Sequence, residues 1–255
     1  MNGTPAPRLT LAGIRFTDDV ARMRAYLEAL GLSAGITRST TQADWAAMHA
    51  GAGQVLLHSA ATSDHRMPSG TTLLTGETPD VAELAGILEH RGPATVLVDE
   101  AYARSLEVID PLGALVVVNE TQTDTYGYDT QRPEPDPGVE VVLSRFTDPT
   151  GPYADFALDV GLHPVGEWGG GYAAYGAGRG ILGLHHDDGS TGLGGPGPHP
   201  RVALGFYTSG HLEQLQQRLS AAGFEPGTIV LADFGSRIET VDPDGQHVEI
   251  HHRSR

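Results

Sequence analysis

The chain has 255 residues, a formal net charge of −16 and neither cysteine nor lysine, all sixteen basic residues being arginine. Those absences exclude disulfides, thiolate nucleophiles, iron–sulfur ligation and Schiff-base chemistry by the chain itself. The acidity disfavours nucleic acid and attracts cations, and no run reaches the roughly 20 apolar residues that span a bilayer, so a cytoplasmic protein without a membrane partner is expected.

In chain order, a strand is expected over Arg8–Phe16, then a helix whose apolar stripe Val20, Met23, Leu27 and Leu30 ends at Gly31. The spacing of three and four residues puts those side chains on one helix face, and glycine readily closes a helix C-terminus. Further strands lead to one at Val55–His58. The pattern then repeats: strand Thr71–Thr75, stripe Val81, Leu84 and Leu88, Gly92, and a closing strand Leu115–Asn119. Thr121–Pro137 holds three prolines and few aliphatic residues and reads as a linker. After it come strand Val139–Phe146, stripe Tyr153, Phe156, Ala157 and Val160, Gly161, and closing strand Ile181–His186. The last repeat has strand Val202–Tyr207, stripe Leu212, Leu215, Leu219 and Ala222, Gly223, and closing strand Val248–His251. Asp18, Asp80 and Asp148 precede three of the helices as candidate N-caps, and His211 precedes the fourth. The closing glycines recur roughly every 60 to 70 residues, so one strand-helix-three-strand unit is built four times.

The units pair into two similar halves. Trp45-Ala46-Ala47-Met48-His49-Ala50-Gly51-Ala52-Gly53 returns as Tyr172-Ala173-Ala174-Tyr175-Gly176-Ala177-Gly178-Arg179-Gly180, each leading into a strand that carries His58 or His185. Asp110-Pro111-Leu112-Gly113 returns as the turn Asp242-Pro243-Asp244-Gly245.

This fourfold order, with Phe16-Thr17-Asp18 at the first helix start and Asp-Pro-Asp-Gly before Val248-Glu249-Ile250, resembles the vicinal oxygen chelate superfamily of glyoxalase I, bleomycin-resistance proteins and extradiol dioxygenases. The resemblance implies an α+β fold in which four βαβββ units pair into two domains, 1–120 and 138–255, joined by linker 121–137, with curved mixed sheets forming cups. It also implies ligand positions for a divalent ion on the first and last strands of the units. In the second half these fall on Val141, on Ala203 or Leu204, on His185 and on Glu249. Strand alternation puts His247 and His251 on the face of Glu249, which makes Glu249, His185, His247 and His251 the candidate metal set. In the first half the positions are Leu11, His58, Leu73 or a neighbour, and Val117, a degenerate site.

Aromatic residues supply the competing expectation. Trp45 and Tyr172 hold matching places, and Trp168, Tyr175 and Tyr207 lie near the second cup, where rings attract cationic or planar aromatic ligands. Trp168 stands in the glycine run Glu167–Gly171, and the glycine-rich stretch Gly189–Pro198 is expected to be a connector. The expected function is therefore binding of a small cationic or aromatic molecule, as in drug or metabolite sequestration. The alternative is a lyase, isomerase or oxygenase dependent on Fe, Mn, Ni or Zn. With two domains in one chain, either a monomer or a homodimer suits the resemblance.

Overall fold

Four repeats of strand, helix and three strands follow one another along the chain. The first unit comprises β1 (Thr10–Thr17), α1 (Val20–Leu30), β2 (Ser33–Thr37), β3 (Trp45–His49) and β4 (Gln54–Ser59). The second comprises β5 (Thr72–Thr78), α2 (Val81–Leu88), β6 (Thr95–Asp99), β7 (Arg104–Ile109) and β8 (Leu115–Glu120), and a short β9 (Asp129–Thr130) follows. The third comprises β10 (Val139–Phe146), α3 (Pro152–Asp159), β11 (His163–Pro164), β12 (Tyr172–Gly176) and β13 (Ile181–His185). The fourth comprises β14 (Ala203–Thr208), α4 (Leu212–Ala221), β15 (Thr228–Ala232), β16 (Gly235–Val241) and β17 (His247–His252). The computed structural model describes residues 9–37, 44–63, 67–99, 103–122, 128–166, 169, 171–189, 202–232 and 235–253. No helix among them is long and apolar enough to cross a membrane.

Each half forms one mixed sheet. The first runs β6-β7-β8-β5-β1-β4-β3-β2-β9 and the second β11-β12-β13-β10-β14-β17-β16-β15. Within a unit the first and last strands pair in parallel, and the two units of a half join antiparallel through β1–β5 or β10–β14. The α+β architecture is as expected, with differences at its joints. Thr121–Pro137 is more than a linker, because β9 pairs with β2 and the Asp136 N–H bonds the Gly31 carbonyl. Asp19, not Asp18, caps α1, whereas Asp80 caps α2. Asp148 accepts from Thr150 ahead of α3, whose N-cap is Gly151, and the His211 side chain makes no cap bond.

The inner faces of both sheets and the four helical stripes merge into one hydrophobic core, with Met23, Leu27, Leu84, Val141, Leu143, Phe156, Leu184 and Leu219 among its members. Alternation along the strands sends every second side chain into this core and the rest to an outer face. The repeated Gly-x-Gly explains itself where the halves cross. A Cβ on Gly53 (φ +84) would lie 2.9 Å from the Val141 Cβ and 3.1 Å from the Gly180 Cα. Backbone bonds close this crossing in both directions, Val141 N–H to the Ala52 carbonyl and Leu11 N–H to the Arg179 carbonyl.

Two buried arginines fasten the halves reciprocally. Arg15 of β1 bonds Asp242 in the turn of the second half, with Asp244 Oδ2 3.1 Å from its Nε. Arg145 of β10 bonds Asp110 in the corresponding turn of the first half, and the Tyr153 hydroxyl donates to the same carboxylate at 2.9 Å. The other oxygens of Asp110 and Asp242 accept backbone N–H groups of their own turns. A buried carboxylate is thus both hydrogen-bonded and paired, which is what makes its burial tolerable.

Candidate functional site

The outer face of the second sheet gathers most of the polar and aromatic side chains singled out from the sequence. Across it, register aligns Glu140 with Tyr207, Tyr207 with His251, and His251 with Arg237. One step along, Val142 lies opposite Gly205, and Glu249 opposite Glu239. On the other flank Phe146 aligns with His185, and His185 with Tyr172.

Glu249 and His251 meet, Nε2 to Oε2 at 2.9 Å. The other carboxylate oxygen of Glu249 lies 3.4 Å from Arg237 Nε, while Arg237 Nη2 bonds Glu239 Oε1 at 2.5 Å. The His251 hydrogen bond, helped by the charges of His251, Arg237 and His247 against the cost of burial, holds the Glu249 carboxyl below its ordinary range. His247 shares this face and is exposed.

His185 stands apart from that pair among rings. It stacks on Phe146 with centroids 5.4 Å apart and meets Tyr172 at 4.6 Å. Burial pushes its imidazole pKa down, an effect the Glu249 charge partly reverses. Tyr172 lies across Gly183, where a Cβ would be 3.1 Å from its ring, and its hydroxyl is 3.4 Å from that of Tyr207. Burial raises the Tyr172 phenol pKa. Arg253 covers the Tyr207 ring at 5.3 Å and reaches Glu140 at 3.5 Å, whose carboxyl burial pushes up.

Two expectations need correction. Tyr175 is fully buried on the inner face, because it lies three residues from Tyr172 and an odd step along a strand reverses the face. Val141 and Leu11 also point into the core, and Glu140 and Val142 are the outer neighbours of Val141. Trp45 lies in the first half at the place matching Tyr172, opposite His58 in register and edge-on to Tyr128 at 5.5 Å. Trp168 and 190–198 of the glycine-rich stretch lie outside the described residues.

Sequence reading missed Arg237, Glu239, Arg253 and Phe146. The alternation Arg237-Ile238-Glu239 was the available signal, since it places both charges on one face of the strand that precedes that of Glu249 by a single turn. What could not be read was the pairing of that strand with β17.

A divalent ion held by side chains needs about three donors. Among the described residues no group of three His, Asp or Glu side chains is arranged to hold one. The strands beside Glu249 offer Gly205 and Val142 at its level, and Arg237 engages one of its oxygens. The described residues therefore do not fit a three-donor metal centre.

No family model and no curated protein matches the chain. Solved structures do. An extradiol ring-cleaving dioxygenase from B. fuscum is 15% identical, with 98% of this chain and 74% of that one covered at a TM-score of 0.60. Homoprotocatechuate 2,3-dioxygenase from Arthrobacter globiformis is 17% identical, covering 98% and 82% at 0.57. A catechol 2,3-dioxygenase is 15% identical, covering 96% and 87% at 0.62. The chain shares their fold, as two vicinal-oxygen-chelate-like halves. At such identity the likeness concerns the fold, and the chemistry has to be argued from the residues.

Proposed function

We propose that the outer face of the second sheet binds a small aromatic molecule. The observation that carries this reading is the convergence there of Phe146, His185, Tyr172 and Tyr207 with the hydrogen-bonded Glu249–His251 pair. Rings supply stacking area, and the pair supplies an acceptor and a donor for a phenolic or amine group. Residues 1–120 then serve as the supporting domain and 138–255 as the binding domain.

Two outcomes for the bound molecule remain distinct. Sequestration is the simpler one, and the aromatic face suits it. The comparisons give more support to the other, a divalent-metal-dependent oxygenase, since the similar structures are dioxygenases and two were solved with the aromatic substrate HPCA. The donor set described above supports no reaction step through an ion.

The test is a thermal-shift titration of untagged protein with 4-nitrocatechol and with a cationic aromatic dye, repeated with Tyr207→Ala, alongside oxygen-uptake assays with catechols after Fe(II) or Mn(II) loading. A saturable rise in Tm that Tyr207→Ala weakens supports binding at this face. Oxygen consumption with ring cleavage would replace sequestration by the oxygenase reading. No shift with either probe would reject an aromatic site.

A further inference from the structure

We infer that Arg237 is the resident cation of the second cup, holding the carboxylate that a divalent ion would have to take. The register of β16 on β17 sets Arg237 beside His251 and Glu239 beside Glu249. The guanidinium Nη2 bonds Glu239 at 2.5 Å, its Nε lies 3.4 Å from Glu249 Oε1, and Glu249 Oε2 takes the His251 bond at 2.9 Å. Both oxygens of Glu249 therefore have partners, one of them a permanent positive charge whose side chain is only 16% exposed.

An ion approaching Glu249 meets repulsion from that charge in a half-buried setting, where screening by water is weak. It must also displace a hydrogen bond. Val142, Gly205 and Ala203 supply no donors on one side, and Glu239, the carboxylate opposite Glu249 on the other, is itself held by Arg237. Arginine stays protonated at every working pH, so no change of conditions vacates the place. The first cup provides an internal contrast. The register of β7 on β8 matches that of β16 on β17, and it puts Ser105 and Glu107 opposite Asn119 and Val117. The position of Arg237 is thus held by Ser105 in the first half, whose own β7 arginine, Arg104, bonds Glu120 instead.

An ordinary ion pair on a sheet surface would show the same distances, so the discriminating readout is metal affinity rather than stability. Untagged protein is titrated calorimetrically with Zn(II) and separately with Mn(II), with no aromatic ligand present. Wild type is expected to show no stoichiometric Glu249-dependent site. Arg237→Gln should bind at least about tenfold more tightly, a gain lost in Arg237→Gln/Glu249→Gln. Arg237→Lys, which keeps the charge, should stay within about threefold of wild type. If Arg237→Gln does not fold, Arg237→Met offers the same comparison with the aliphatic stem retained. A wild-type site of one ion per chain that Glu249→Gln abolishes, or an affinity that neither neutral variant raises, overturns the inference. The outcome is separable from the aromatic-binding test, which varies Tyr207 and reads an organic ligand, although both involve the Glu249–His251 pair.

Discussion

On the inner faces Arg15 of the first half reaches Asp242 of the second, and Arg145 of the second reaches Asp110 of the first. On the outer faces Val117 and Asn119 stand where Glu249 and His251 stand. The repeat is thus close where side chains pack between the halves and looser on the outer faces, where His58 still matches His185 but Val117 and Asn119 replace Glu249 and His251. Inner positions answer to neighbours from both sheets and the helices, so each must suit a filled core. Outer positions answer only to the sheet that carries them, which leaves room for chemistry in one cup and its absence in the other.

The largest effect expected from breaking this comparison is on the interlock. Arg145→Met leaves Asp110 buried without its charge partner and should cost about 3–5 kcal/mol in urea unfolding. The pair Arg145→Met/Asp110→Leu should cost less than the sum of its single variants, because no orphaned charge remains. A single variant within about 0.5 kcal/mol of wild type would mean that the reciprocal pairs do not hold the halves together.

How much was legible beforehand follows the same division. The helical stripes, the four glycines and the Asp-Pro-x-Gly turns could be read because each is a local pattern with a local cause. Gly53 and Gly180 were visible as a repeat, yet their reason, two backbones crossing within van der Waals reach, is a contact between distant segments. Glu249 with His251 was legible as one strand's alternation. Arg237 was not, because its place depends on which strand pairs with β17 and in what register. Tyr175 was misplaced by counting aromatic residues near a cup before counting faces along the strand.

A middle-sized effect sharpens the contrast between the cups. Gly183 leaves room for Tyr172 to lie across the sheet, whereas the first half has Leu56 at the matching register and its Trp45 meets Tyr128 instead. Gly183→Val would put carbon into the ring and hydroxyl of Tyr172, already 3.1 and 3.2 Å from an added Cβ, and into Ser144 Oγ at 3.3 Å. Tyr172 must lift away from Tyr207, and the overpacking should cost about 1–3 kcal/mol in thermal unfolding. Aromatic-ligand binding should fall with it, while Arg145 and its partners stay in place. Unchanged stability with unchanged binding would mean that Tyr172 has no fixed place on the face.

The smallest expected effect is a tilt in stability with pH. His185 is mostly buried among Phe146 and Tyr172, and burial depresses its pKa in the folded state. The unfolded chain therefore takes up the proton first as pH falls below about 6.5, so folding stability is full above that pH and declines below it, down to the folded-state pKa. The slope from one such group is at most about 1.4 kcal/mol per pH unit. His49, depressed by burial in the first cup, adds a similar term from the other half. Glu249 works in a separate, more acidic window, since a carboxyl held below its ordinary value loses its contribution only as pH drops through the carboxylate range. Denaturation of wild type, His185→Gln and His49→Gln between pH 7 and pH 5 separates these terms. Each variant should flatten the acid-side decline, and the two together should flatten it most. A decline untouched by His185→Gln would place that imidazole in water rather than among the rings, and with it the aromatic face proposed for the ligand would lose its centre.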